Sequence, residues 1–205
     1  MAKRNHELDA PILMSARAEF LEKGFENASL KSICENAGVT TGAGYKRDKD
    51  KEALFAAVVE ETVNKLNGAA DVKCDYDMGA LSDEELLAMW NMDESSIMWW
   101  FEFLDDVRDD FVLLISRAET TRYAHFQHDW VEKMTDGTYE CYEEMFRRGL
   151  TNVKVSRREF HILLTAFWTT FYEPFVHGYS MEEIKAHSSL VCRLFDWKTV
   201  LGLRA

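Results

Sequence analysis

Thr40, Thr41 and Gly42 open a short stretch that runs on through Tyr45 and Lys46 to Lys51. Hydroxyls, ammonium groups and the unpaired N–H groups of a helix start are the donors that phosphate oxygens and base edges accept. Gly42 lets one backbone approach another closely. Tyr45, one turn later, can set its hydroxyl on a phosphate, and Lys51 adds a mobile charge. The chemistry on offer is recognition of a polyanion. Phosphate-loop, nucleophile-elbow and HExxH patterns do not occur, so no enzymatic activity and no cofactor are expected. His125 and His128 stand three apart on one helical face without an evident third ligand, so no metal site is expected.

A second group of residues suggests a small-molecule site. The C-terminal half is rich in aromatic side chains. Most must form helical core, but rigid rings also wall apolar cavities well. The expected walls are Trp99, Phe103, Phe126, Trp130, Trp168 and Tyr172. Glu102, Asp105, Glu119 and Glu173 interleave with the rings, and a carboxylate there favours a cationic or hydrogen-bonding ligand. The expected effector is apolar or aromatic, with a cationic centre as an option.

The formal net charge of −12 argues at first against nucleic acid, but its distribution is uneven. Residues 1–51 hold 9 Lys/Arg against 8 Asp/Glu, and the remainder 15 against 28. Only the N-terminal quarter can face a polyanion, and there Lys46, Arg47, Lys49 and Lys51 cluster late. No apolar run approaches the roughly 18 residues that a membrane span needs, and the first residues carry no apolar secretory segment. Four dispersed cysteines without a CxxC suit a reducing compartment. A cytoplasmic protein with no membrane partner is expected.

With 2 Pro and 10 Gly in 205 residues, breakers are sparse and an all-α fold is expected. Ile12, Leu13, Ala16, Phe20 and Leu21 predict a helix over 10–23, closed by Gly24. Ser29 can cap a short helix ended by Gly38, and Thr40 opens a third that runs to about Arg47. Asp50 can cap a fourth helix carrying Leu54, Phe55, Val58, Val59, Val63 and Leu66 on one face. Residues 67–81 read as a loop and domain boundary. Capping boxes at Ser82/Glu85, Ser156/Glu159 and Ser180/Glu183 mark later helix starts. Further helices are expected at about 94–117, 122–149 with a bend at Gly137, 157–177 with a kink at Pro174, and 181–201.

The organisation this predicts is a three-helix helix-turn-helix DNA-binding domain over 1–50, a connecting helix over 51–67, and a larger helical ligand-binding and dimerisation domain over 68–205. Phe160, Leu163, Leu164, Phe167, Phe171, Leu190, Leu194 and Trp197 recur at three-and-four spacing. So apolar a terminal helix pair is expected to pair with a second copy, giving a homodimer through the two C-terminal helices.

Two short helices joined by A-G-V-T-T-G, between two longer ones, form a helix-turn-helix frame. The stretch from Phe20 to Phe55 resembles the TetR-family DNA-binding domain in its spacing. The shared pattern is Phe20-x-x-x-Gly24, then Ala37-Gly38-Val39, Gly42-x-x-Tyr45 and Lys51-x-x-Leu54. The resemblance covers about the first 65 residues. It implies an all-helical homodimer, a divergent sensor domain with an internal cavity, and a DNA-contacting set of Ser29, Lys31, Thr40, Thr41, Gly42, Tyr45, Lys46 and Lys51. Gly44 stands where the family usually has a bulky apolar residue, and Asp48 where it usually has an aromatic. Both departures predict a soft reading head. The resemblance implies a ligand-responsive DNA-binding transcriptional regulator, expected to be a repressor released from double-stranded operator DNA by a small molecule. The alternative is an interaction or ligand-binding protein whose degenerate helix-turn-helix no longer reads DNA.

Overall fold

A computed structural model of the chain describes residues 9–39, 51–74 and 76–203, and every regular element among them is a helix. In chain order these are α1 (Asp9–Asn27), α2 (Leu30–Asn36), α3 (Lys51–Cys74), α4 (Asp83–Ala88), α5 (Glu94–Asp105), α6 (Arg108–Ser116), α7 (Phe126–Arg148), α8 (Arg157–Val176), α9 (Met181–Leu194) and α10 (Trp197–Val200). Two compact units are present. The first takes the described residues up to Leu66 together with Val107–Phe126, and the second takes Asn67–Asp106 and the chain from Gln127 onward.

In the first unit α1 buries Ile12, Ala16 and Phe20, the face that its spacing predicts. Gly24 leaves the helical path at φ +73°, a region where side chains strain the backbone. The ring of Phe25, just past it, stacks 5.9 Å from Phe20 and meets Phe55 edge-on at 5.5 Å. α3 continues eight residues into the predicted loop, because Ala69 and Ala70 favour helix and Ala70 is fully buried. That burial outweighs the entropy lost at Gly68.

The second unit starts α4, α8 and α9 at the three predicted capping boxes, each with both reciprocal bonds formed. The predicted helix at 94–117 is two helices, α5 and α6, separated at Asp106 and Val107. The predicted helix at 181–201 likewise divides into α9 and α10, where the side chain of Asp196 caps the second piece. α7 runs unbroken through the buried Gly137. Pro174 sits inside α8 and has no N–H for the Thr170 carbonyl four residues back; His187 Nε2 of α9 stands 3.0 Å from that oxygen and replaces the lost donor. Arg148 anchors the segment before α4. Its guanidinium bonds Glu144, Asp83 and the carbonyls of Met78, Gly79 and Leu81.

The expected dimer residues divide. Phe160, Leu164, Phe167, Phe171 and Trp197 are buried in the chain's own core and are not available to a second copy. Leu190 and Leu194 are exposed, as is Ile162 of α8, and Leu163 is half-buried. A helical repeat of three and four cannot say which of two apolar stripes meets the chain's own core.

Candidate functional site

The head is built around α1 and α2. Ser29 lies in extended backbone, and its hydroxyl caps α2 by accepting from the Ser32 N–H at 3.4 Å. Its own N–H donates to Glu19 Oε1 at 3.0 Å. Burial raises the pKa of Glu19, but the bonds from Lys23 and from the Ser29 N–H outweigh it and hold the carboxyl below its ordinary value. Lys31 is on the solvated face of α2, 3.7 Å from Glu35. Lys51 Nζ donates to the carbonyls of Glu26 at 2.8 Å and Ala28 at 3.2 Å, and lies 4.7 Å from the centre of the Phe25 ring. Its cation thus ties the start of α3 to the C-terminal end of α1, where a positive charge is favoured. A second tie runs through Asp110 of α6, which accepts from Arg17 Nε at 2.5 Å and Nη2 at 2.9 Å and from the Thr62 hydroxyl at 3.2 Å. Thr40, Thr41, Gly42, Gly44, Tyr45, Lys46 and Asp48 lie outside the described residues.

The second unit contains a cavity of about 550 Å³. Trp90, Trp99, Trp100, Phe167, Trp168 and Trp197 wall it, and no Asp, Glu, Lys, Arg or His is among the lining residues. Of the expected walls, Trp99 and Trp168 line the cavity. Phe103 and Trp130 back it: Phe103 stacks on Trp99 at 5.4 Å, and Trp130 meets Trp168 edge-on at 4.5 Å. Tyr172 does not line it; its hydroxyl bonds Thr169 at 2.8 Å and also pairs with Gln127. Phe126 belongs to the first unit. The expected carboxylates are not in the lining either. Glu102, Glu119 and Glu173 are exposed and Asp105 is half-buried, so the counter-charge for a cationic ligand is missing. Helical solvation explains this: a carboxylate adjacent to rings in sequence turns to water on the opposite face.

The cavity's polar groups are mostly engaged. Trp90 Nε1–H donates to Cys141 Sγ at 3.3 Å, and the Thr138 hydroxyl donates to the Met134 carbonyl at 2.6 Å. The hydroxyls of Ser95 and Ser96 donate to Asp93 at 2.7 Å and to the Asn91 carbonyl at 3.4 Å. Burial pushes the Cys141 thiol up to about 11, which keeps it protonated and unreactive at neutral pH. Trp168 is the exception. Among the described residues, its Nε1–H is the buried side-chain polar group without a hydrogen-bond partner. Leaving such a donor unpaired costs roughly 1–3 kcal/mol. His125 and His128 are exposed, and no group of three metal-ligating side chains occurs among the described residues.

Residues 12–58 match the family described as bacterial regulatory proteins, tetR family. The similarity to the tetR family lies in this N-terminal segment. A relative with this TetR-type head is the HTH-type transcriptional regulator UidR of Escherichia coli strain K12, 42% identical over 48 residues. That match spans 23% of this chain and 24% of the relative, so about a quarter of each is related in sequence. The fold likeness extends further. A TetR-like transcriptional regulator from Rhodococcus sp. RHA1 superposes with a TM-score of 0.66 at 16% identity, covering 98% of this chain and all of that one. NalD, the secondary repressor of the MexAB-OprM multidrug efflux pump in Pseudomonas aeruginosa, superposes at 0.57 with 18% identity, covering 93% of this chain and 97% of that one. The TetR fold therefore extends over both units, while the sequence likeness stays in the head. No helix among the described residues is long and apolar enough to cross a membrane.

Proposed function

We propose that this protein is a TetR-family regulator: a ligand-responsive DNA-binding transcriptional regulator, a repressor released from double-stranded operator DNA by a small molecule. The match of residues 12–58 to the tetR family carries the reading. Thr40, Thr41, Gly42, Tyr45 and Lys46 would reach the major groove, with Ser29 and Lys31 on phosphates beside them. Lys51 acts there mainly as the tie between α3 and α1, with its remaining donor capacity for a phosphate. The cavity of the second unit takes the effector, with Trp99 and Trp168 in contact and Phe103 and Trp130 behind them. The chain works without enzymatic chemistry, in the cytoplasm. It pairs with a second copy through the outer faces of α8 and α9, where Ile162, Leu190 and Leu194 are exposed. A two-fold pair would hold two heads about one DNA turn apart.

The acidity of the chain, −12 overall, favours a second reading in which the head meets a protein instead of DNA. Selection of binding sites from random-sequence duplexes separates the two. Recovery of an inverted repeat with half-sites about one helical turn apart is the expected result. Recovery of no preferred sequence would overturn the reading.

A further inference from the structure

We propose that the cavity of the second unit takes a neutral aromatic molecule, held at the open side by the rings of Trp99 and Tyr76, and rejects the same molecule when it is charged. The biological consequence rests on the ligand-responsive reading above, and the chemistry on the cavity alone.

Three observations converge. The first is where the lining keeps ring surface. Trp90, Trp100, Trp168 and Trp197 are buried, whereas Trp99 and Tyr76 are each 46% exposed. A molecule in the half-open cavity can cover those two rings. Phe103 stacks on Trp99 with centroids 5.4 Å apart and planes 8° apart, which holds the exposed indole in a set plane. An aromatic ligand on such a ring gains offset or edge contacts beyond the area it buries. The second observation is the sulfur in the lining. Met89, Met92 and Met134 supply thioethers, which are polarisable, make favourable contacts with aromatic rings and adapt to irregular shapes. The third is charge. No Asp, Glu, Lys, Arg or His lines the cavity. Two charged groups bond to lining residues, and both are engaged. Asp93 caps α5, accepting from the Ser95 hydroxyl at 2.7 Å and the Ser96 N–H at 2.8 Å. Lys198 Nζ donates to Asn91 Oδ1 at 3.2 Å. Asp77, Glu140 and Glu143 line a neighbouring groove that shares Tyr76, not the cavity. A charged ring entering the cavity would lose its hydration without meeting an opposite charge, which disfavours cations and anions alike.

Probes of equal shape and unequal charge test this. N-methylquinolinium matches 1-methylnaphthalene but carries a positive charge, and 1-naphthoate matches 1-acetylnaphthalene but carries a negative one. Dissociation constants are measured by equilibrium dialysis of the full chain, without DNA, in about 0.3 M salt, which screens the acidic groove beside Tyr76. Each neutral probe is expected to bind at least about tenfold more tightly than its charged counterpart. Trp99→Leu should weaken 1-methylnaphthalene about fivefold, while its saturated counterpart 1-methyldecalin loses less than about twofold. Equal binding within either pair, equal losses of the aromatic and saturated probes in the variant, or no binding of either neutral probe would each overturn the proposal. Should Trp99→Leu not fold, Tyr76→Leu asks the same of the second ring, and the charge ranking is read on the wild type. A gel shift with 1-methylnaphthalene keeps the two readings apart. Binding of this probe with DNA affinity unchanged would support the site and overturn the regulatory coupling.

Discussion

Among the described residues, the first unit joins its helices through a small group of rings and a few geometry-specific charged bonds, whereas the second adds to its own charged bonds a much larger packing of ring on ring and leaves one buried side-chain donor unpaired. In the first, Phe20, Phe25 and Phe55 form the apolar centre, and Arg17, Asp110 and Thr62 join α1, α6 and α3 by geometry-specific bonds. In the second, Phe101 stacks on Phe171 at 4.8 Å, and Phe160 meets Trp90 and Trp197 at 5.8 and 6.1 Å. On the proposed function, the difference suits two tasks. A reading head has to hold its helices at fixed angles on little apolar area, which directional bonds can do. A sensor unit needs shape and volume, which rings supply, with few polar groups that a ligand must satisfy.

The comparison breaks most readily at the largest contacts. Phe101→Ala should cost about 3–5 kcal/mol, since the void beside Phe171 cannot collapse among rigid rings. Urea unfolding followed by tryptophan fluorescence reports it, and a loss below about 1 kcal/mol would mean that the ring packing is looser than its geometry implies. Asp110→Ala should cost about 2–3 kcal/mol, less than the roughly 3–5 kcal/mol of a fully buried pair because Arg17 is partly exposed. That loss should appear in the first unit, read by hydrogen exchange in α1 and α6. A loss spread evenly over both units would erase the distinction between them.

A smaller effect tests the second unit's backbone. His187→Phe leaves the Thr170 carbonyl without its donor and should cost about 1–2 kcal/mol. In a Pro174→Ala background, residue 174 regains an N–H for that carbonyl, and the same substitution should cost well under half as much. Equal costs in both backgrounds would show that His187 acts only by packing.

The smallest effect is electrostatic. Hydrogen bonds from Arg147 and then Arg148 hold the Glu144 carboxyl at about 2, against an ordinary 4.5. A depressed folded pKa stabilises above the unfolded value and is lost as pH falls. The Arg148 anchor should therefore weaken between pH 4.5 and about 2, and Glu144→Gln should flatten the acid limb of a pH–stability curve over that window. An unchanged acid limb would place the acid sensitivity elsewhere.

The elements were largely legible because caps and periodicity are local. Ser29, Ser82, Ser156 and Ser180 each cap the helix that their side chains predict. Helix ends were less legible, since burial of Ala70 carried α3 past a glycine and Val107 divided a continuous apolar stripe. In the head, α1 and α2 followed from spacing and capping, whereas the predicted third helix lies outside the described residues. The cavity was not legible. Sequence shows that rings are abundant, but Trp90, Trp100 and Trp197 reach the cavity only through how separate helices meet, and Tyr172 turns its hydroxyl to Gln127. The unpaired Trp168 N–H could not be read from sequence, because satisfaction of a donor depends on every neighbour. Lys51 shows the same limit in the head: its charge was legible, its bonds to Glu26 and Ala28 were not.

The most direct test of the regulator reading is fluorescence anisotropy of a labelled duplex, taken from the selected site, titrated with the full chain at several salt concentrations. A head that binds phosphates through Lys31, Lys46 and neighbouring cations should bind the selected duplex much more tightly than random DNA. Its log affinity should fall linearly with log salt, with a slope of about −0.9 for each phosphate neutralised. Equal affinity for both duplexes, or no binding at 50 mM salt where phosphate contacts are strong, would contradict it.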